Sequence, residues 1–240
     1  MRVDVLGVGF DNLTLDQAVE EGLRLMHTPG AHYVVTPNPE IVEACRQDPA
    51  VMEAVNGADL VLADGIGVIY GAKMLGTPLK GRVTGIAFAQ ALMERMAQGG
   101  EPLFLLGAKP GYAQQAAENL ARQYPGLKIA GTNDGYFQED GPVVEKIRAS
   151  GARVVFVCLG APKQEFWMVK NGAATGAGLL VGLGGCLDVF SGNVKRAPAA
   201  FQKLGLEWFY RLCKEPSRIG RMMKLPLFLV HVAGERGRRK

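Results

Sequence analysis

Six stretches of this 240-residue chain hold side chains able to do chemistry. Thr36 and Asn38 stand in TPNPE, Asp64 in ADGIG, and Arg82 in KGRVTG. Lys163, Gln164 and Glu165 stand in LGAPKQE, and Asp188, Lys195 and Arg196 in GGCLDVFSGNVKRAP. The last stretch, EWFYRLCKEPSRIGRMMKLPLFLV over 207–230, mixes aromatic, apolar and basic residues, among them Arg211, Arg218 and Arg221. Carboxylates accept protons, guanidinium and ammonium groups hold anions, and hydroxyls and amides make neutral hydrogen bonds. Each residue also has a plainer use. Asn38 followed by Pro39 suits the N-cap and first position of a helix. Asp64 before Gly65 can cap the next helix, and Arg82, Lys195 and Arg196 can be solvated surface charges. GLGGCLD looks like a glycine-rich phosphate loop, but its spacing matches neither GxGxxG nor GxxxxGK[ST].

The elements that must position these residues follow from periodicity. Short apolar runs read as strands: RVDVLGV (2–8), HYVVT (32–36), LVLAD (60–64), PLFLLG (102–107), KIAGT (128–132), RVVFVCLG (153–160) and GLLVGLG (178–184). Between them lie stretches of helical period. Residues 15–26 place Leu15, Val19, Leu23 and Met26 on one face, and 86–97 and 112–124 behave alike. Strands apolar on both faces that alternate with helices predict an α/β fold with a mostly parallel, Rossmann-like sheet flanked by helices. Open parallel sheets bind ligands beyond the carboxyl ends of their strands, and TPNPE, ADGIG, LGAPKQE and GGCLD each follow a predicted strand. No boundary splits residues 1–195, which predicts one α/β domain there and a basic, amphipathic appendage over 196–240.

Charge sharpens that division. Residues 211–240 hold nine Lys/Arg and two Asp/Glu, a net of +7 in a chain whose total is +4, so the rest sums to −3. An anionic partner should therefore meet the tail. Cys45, Cys158, Cys186 and Cys213 form no CxxC pair and no zinc spacing, and read as reduced packing residues. No signal peptide is visible in MRVDVLGVGF, and no apolar run approaches the ~20 residues that cross a bilayer. These features predict a cytoplasmic protein or one on the inner face of a membrane.

Taken together, VVTPNPEIV, LADGIGVIYGAKMLG, GRVTG, LGAPKQEFWM, GGCLDVFSGNVKRAP and GLEWFYRLCKEPSRIGR resemble the WecG/TagA/CpsF family of bacterial glycosyltransferases, in family order from residue 1 to about residue 225. The resemblance implies transfer of a sugar from a UDP-sugar donor to a lipid-pyrophosphate-linked sugar. The sugar is N-acetylmannosamine for the wall teichoic acid linkage unit in one branch and its uronic acid in another; glucose is a further possibility. It implies Asp64 as the general base, with Thr36, Asn38, Arg82 and Gln164 as pocket residues. Asp188, Gly184 and Gly185 are assigned to the uridine. Arg82, Lys195, Arg196, Arg211, Arg218 and Arg221 are the cations expected to meet the pyrophosphate. The family appendage is expected to dock on an anionic membrane surface and complete the site. Trp208, Phe209 and Tyr210 suit an interface, and Leu225–Val232, interrupted by Pro226 and His231, is expected to rest in it.

No Asp-x-Asp occurs in the chain, so no metal or other cofactor is expected. A homo-oligomer off the membrane is compatible with these features. Two rivals fit the same pattern less well. A nicotinamide-dependent oxidoreductase lacks its fingerprint, because GVGFDNLT supplies Gly7 and Gly9 and then fails. A nucleic-acid-binding module is permitted by the basic, aromatic tail, but no nucleic-acid partner is expected.

Overall fold

The first apolar run is a hairpin. A computed structural model describes residues 1–198, 201, 207–214 and 219–238. In it, β1 (Arg2–Val5) and β2 (Val8–Asp11) pair antiparallel. The chain reverses at Leu6 and Gly7, both at positive φ (56° and 89°), the backbone twist that a two-residue hairpin turn needs. The single strand expected over 2–8 is thereby corrected: the hairpin stands outside the main sheet.

That sheet holds β3 (His32–Val35), β4 (Leu60–Val61), β5 (Pro102–Gly107), β6 (Lys128–Asn133), β7 (Val154–Cys158) and β8 (Leu179–Gly182). Their order is β4-β3-β8-β7-β5-β6, and every neighbouring pair is parallel. Successive side chains of a strand leave on opposite faces, so the unbroken apolar runs feed two cores. Val34, Leu103, Leu105, Val154, Phe156 and Val181 point into one, and Val35, Phe104, Leu106, Val155, Val157 and Leu180 into the other. The first core is closed by α1 (Leu15–His27), α5 (Gly85–Gly99), α6 (Tyr112–Gln123) and α9 (Cys186–Phe190). The second is closed by α2 (Pro39–Gln47), α3 (Pro49–Asn56), α4 (Ile66–Met74), α7 (Asp140–Ser150), α8 (Lys163–Thr175) and the hairpin.

Three helices follow in the tail: α10 (Glu207–Lys214), α11 (Ile219–Met222) and α12 (Lys224–Arg238). The expectation that Leu225–Val232 rests in a bilayer interface needs correction for two of its eight residues. Phe228 and Val232 are fully buried members of the second core. They lie on α4, where Gly67 and Gly71 leave a bed one helical turn long. A Cβ on Gly71 would meet the Phe228 ring at 2.8 Å, and one on Gly67 would meet both Leu225 and Pro39 at 2.6 Å. Glycine at i and i+4 lets two helices approach closely, and a larger side chain there would lift α12 away. Pro226 interrupts nothing, because it sits in the first turn of α12, where no backbone donor is lost.

A polar clasp adds to this packing. Glu43 of α2 is 1% exposed, and its carboxylate lies 2.9 Å from His231 Nδ1 of α12 and 3.2 Å from Arg46. A buried carboxylate must be paired to be tolerated; Arg46 supplies the charge from α2 itself, and α12 covers the pair and adds the His231 contact. Among the described residues no helix is long and apolar enough to cross a membrane.

The cysteines divide by burial. Cys45 and Cys158 are buried, and burial pushes the Cys45 thiol up to about 12 and the Cys158 thiol well above its ordinary value. Cys186 is half-buried, but Cys213 is exposed, so it does not pack the core as expected.

Candidate active site

The carboxyl ends of β4, β3 and β8 lie side by side, and the loops leaving them converge. β3 runs into Thr36, Pro37 and Asn38. Thr36 is buried, and its hydroxyl donates to the carbonyl of Gly182 at the end of β8 (3.1 Å). Asn38 caps α2: its side-chain oxygen accepts from the Ile41 N–H at 3.0 Å, and Pro39 takes the first helical position. The helix start read from Asn38–Pro39 is thus present.

β4 runs into Asp64. Its N–H donates to the carbonyl of Pro37 (3.2 Å), which ties it to the loop after β3. Gly65 follows at φ 102°, a conformation that L side chains avoid, and a Cβ there would press on Pro39 at 3.2 Å. This turn leaves the half-buried Asp64 carboxylate at the mouth of the sheet. There its Oδ2 accepts from the N–H of Gly85 at 3.1 Å. Gly85 is the first residue of α5, so the carboxylate faces the positive end of a 15-residue helix. The same glycine sits against Thr36, 3.2 Å from its hydroxyl if a Cβ is added. Val83 N–H donates to the carbonyl of Ala63 at 3.1 Å. Residues 83–85 therefore run alongside 63–64 and carry Arg82 to the same end of the sheet.

β7 and β8 supply the neighbouring wall. Gln164 is not a surface amide; it is 2% exposed. Its oxygen accepts from the Gly184 N–H (2.9 Å), and its nitrogen donates to Glu165 (2.9 Å). The bond from Gly184 fixes the turn there, which stands at φ 54°. Gly185 is exposed, and Asp188 is half-buried in α9. The Asp188 carbonyl accepts from the Ser191 hydroxyl and the Val194 N–H (both 2.9 Å), folding 191–194 back on the helix. Lys195 is exposed.

Arg196 and Arg82 meet through Glu207. Arg82 Nη2 lies 3.3 Å from Glu207 Oε2, and Arg196 Nε lies 3.2 Å from Oε1. The start of α10 thus reaches the end of the sheet that carries Asp64. Phe209 of α10 is exposed, and the Tyr210 ring packs on Phe201 at 5.5 Å. The backbones of Arg211 and Arg221 belong to α10 and α11, but their side chains, and Arg218 and Pro216 altogether, lie outside the described residues. Among the described residues no three His, Cys, Asp or Glu side chains converge as a metal group. A recess of about 460 Å³ lies elsewhere, between α12 and the hairpin turn, where Leu6, Arg46, His231 and Glu235 line it. None of the residues gathered around Asp64 touches it.

Glu165 is the buried acid beneath this wall. Burial raises its carboxyl above the ordinary value of 4.5, against the lowering effect of the Gln164 hydrogen bond. Oε2 has no hydrogen-bond partner among the described residues. A raised folded-state value means that the protonated form suits the fold. Its stabilisation is fully present below the unfolded value and is lost as pH rises through the folded one. Glu165→Gln keeps the shape and removes the charge. It should therefore raise Tm over the parent at pH 8, with the gain shrinking to nothing near pH 4, as melts across that range will show.

Comparison with known proteins follows the same lines. The family model for the glycosyl transferase WecG/TagA/CpsF family matches residues 3–240. A relative from Bacillus spizizenii is 40% identical over 200 residues, 83% of this chain and 78% of its own. One from Staphylococcus aureus strain MW2 is 36% identical over 235 residues, 97% of this chain and 92% of its own. Both carry the name N-acetylglucosaminyldiphosphoundecaprenol N-acetyl-beta-D-mannosaminyltransferase. A match spanning nearly the whole chain, on a parallel sheet whose carboxyl end gathers Asp64, Arg82 and Arg196, leads to one conclusion: the chain belongs to the WecG/TagA/CpsF family of glycosyl transferases.

Proposed function

We propose that this glycosyltransferase moves N-acetylmannosamine from UDP-N-acetylmannosamine to undecaprenyl-pyrophosphate-linked N-acetylglucosamine, with inversion, in building a teichoic acid linkage unit. The observation that carries the reading is the name shared by relatives that match 83% and 97% of the chain. The geometry supplies a mechanism. An acceptor hydroxyl attacks the anomeric carbon and gives its proton to Asp64 as the C–O bond to UDP breaks; UDP leaves with the bonding electrons. Asp64 acts as that base; its hold on the Gly85 N–H and on the loop after β3 supports this reading. Arg82 and Arg196 meet the charge that develops on the departing diphosphate, helped by Lys195, Arg211, Arg218 and Arg221. Thr36 and Asn38 hold the loop against which the sugar rests, and Asp188, Gly184 and Gly185 face the uridine.

Docking on the inner face of an anionic membrane brings the lipid-linked acceptor to this site. Its support is an apolar stripe along α11 and α12. Ile219, Met223, Leu227 and Val230 recur at helical spacing and are 41–66% exposed, and Lys224, Arg236 and Arg238 flank them. Each cation near such a surface adds about 1 kcal/mol of attraction. Sedimentation with anionic and neutral vesicles tests this: binding to neither would contradict it.

The functional reading is tested with a panel of UDP-sugars, namely N-acetylmannosamine, its uronic acid, N-acetylglucosamine and glucose, on a lipid-pyrophosphate-N-acetylglucosamine acceptor. The N-acetylmannosamine donor should be turned over fastest, and excess chelator should leave the rate within about twofold. Preference for the uronic acid would move the protein to another branch. Loss of activity to the chelator with recovery on Mg²⁺ would overturn the metal-independent mechanism.

A further inference from the structure

Glu207 stands out in a tail read for its cations. Its carboxylate bridges two guanidinium groups from separate parts of the chain, Arg82 in the loop before α5 and Arg196 beyond α9. The three side chains are only 18–25% exposed, so water screens their interaction less than that of a surface pair. Two guanidinium groups brought this close repel each other, and a carboxylate between them removes most of that cost. Each arginine uses one N–H on Glu207: Nη2 of Arg82 and Nε of Arg196. A guanidinium has five N–H donors, so the remaining edges can take phosphate oxygens while Glu207 stays bound. The local sum is still +1, which suits an anion.

We propose that Glu207 is a positioning residue: it holds Arg82 and Arg196 as one paired seat for the donor diphosphate and fixes α10 beside it. The inference rests on the UDP-sugar reading above. It gives the tail a structural part in donor binding that is separate from membrane docking. α10 arrives at the sheet by an acid–base contact, and that contact organises the cations on which UDP departs.

The test uses the full chain and its Glu207→Gln, Glu207→Asp, Arg196→Gln and Arg196→Gln/Glu207→Gln variants, with UDP as the calorimetric probe and donor kinetics beside it. Glu207→Gln should weaken UDP binding roughly tenfold and raise the donor KM more than it lowers kcat. Glu207→Asp should recover part of both. Adding Glu207→Gln to Arg196→Gln should cost less UDP affinity than adding it to the parent, since only the Arg82 contact is then left to lose. Unchanged UDP affinity in Glu207→Gln overturns the proposal. Tighter binding also overturns it, because it would make Glu207 a competitor for the diphosphate seat. Should Glu207→Gln not fold, Glu207→Asp decides the matter: UDP affinity equal to the parent's overturns the proposal. Failure of the parent protein to bind UDP at all would instead sink the donor reading, and this inference with it.

Discussion

Asp64→Asn should fold as the parent does and turn over about 10²- to 10⁴-fold more slowly, the usual loss when a positioned general base is removed. The prediction is demanding because the substitution spares almost everything else. Asn keeps a side-chain oxygen that can accept from the Gly85 N–H, so the bond between the end of β4 and the start of α5 survives. The Asp64 N–H to Pro37 carbonyl bond is a backbone contact and is untouched. Tm should therefore change little, and UDP should still bind, because Arg82 and Arg196 remain. What disappears is the capacity to accept a proton from the acceptor hydroxyl. A variant that keeps the parent rate would move the base to another group. One that loses turnover and folding together would make Asp64 a helix cap first and foremost.

The second large effect concerns stability. Phe228→Ala should cost about 3–5 kcal/mol, the range for deleting a buried aromatic ring. Phe228 is fully buried and packs on Gly71 of α4, within the core that also holds Val42, Val68 and Val232. Against a total stability of about 5–15 kcal/mol, this is a large fraction. At roughly 2–4 °C per kcal/mol for a chain of this size, the melting temperature should fall by about 6–20 °C. Gly71→Leu attacks the same contact from the other side, since even a Cβ would stand 2.8 Å from the ring. An appendage that merely hangs from the catalytic body would show a change within ~0.5 kcal/mol in both variants. The same packing alters what truncation means. Removing residues 207–240 strips Phe228, Val232 and His231 from α2 and α4 and leaves the Glu43 carboxylate without its histidine. Lost activity in such a fragment would mix damaged folding with lost docking, so point substitutions are the cleaner instruments.

The parallel sheet was legible because its strands are apolar on both faces, and only a two-sided cover explains Val154–Cys158 or Leu179–Gly182. The helix begun at Asn38–Pro39 was legible because cap and proline act locally. Contacts that depend on distant partners were not. Leu6 is no usual turn former, so the hairpin at Leu6–Gly7 was hidden inside an apolar run. The burial of Gln164 was not legible either: it comes from Gly184 and the end of β8, which lie 18–20 positions away. Glu207 carries no local signal, because its charge runs against the tail's sign and its partners are 125 and 11 residues distant. The bed for α12 did leave a trace, the pair Gly67 and Gly71 four apart in IGVIYGAKM. Small residues at that spacing mark a close helix crossing, but nothing local says which helix arrives.

Hydrogen–deuterium exchange with and without UDP tests most directly where the donor diphosphate sits. Protection should appear over residues 36–40, 63–66, 82–86 and 184–188, at the carboxyl ends of β3, β4 and β8 and the start of α5, and around Arg196 and Glu207. Protection confined to the recess beside Leu6, Arg46 and His231, with the segments around Asp64 unchanged, would contradict this placement.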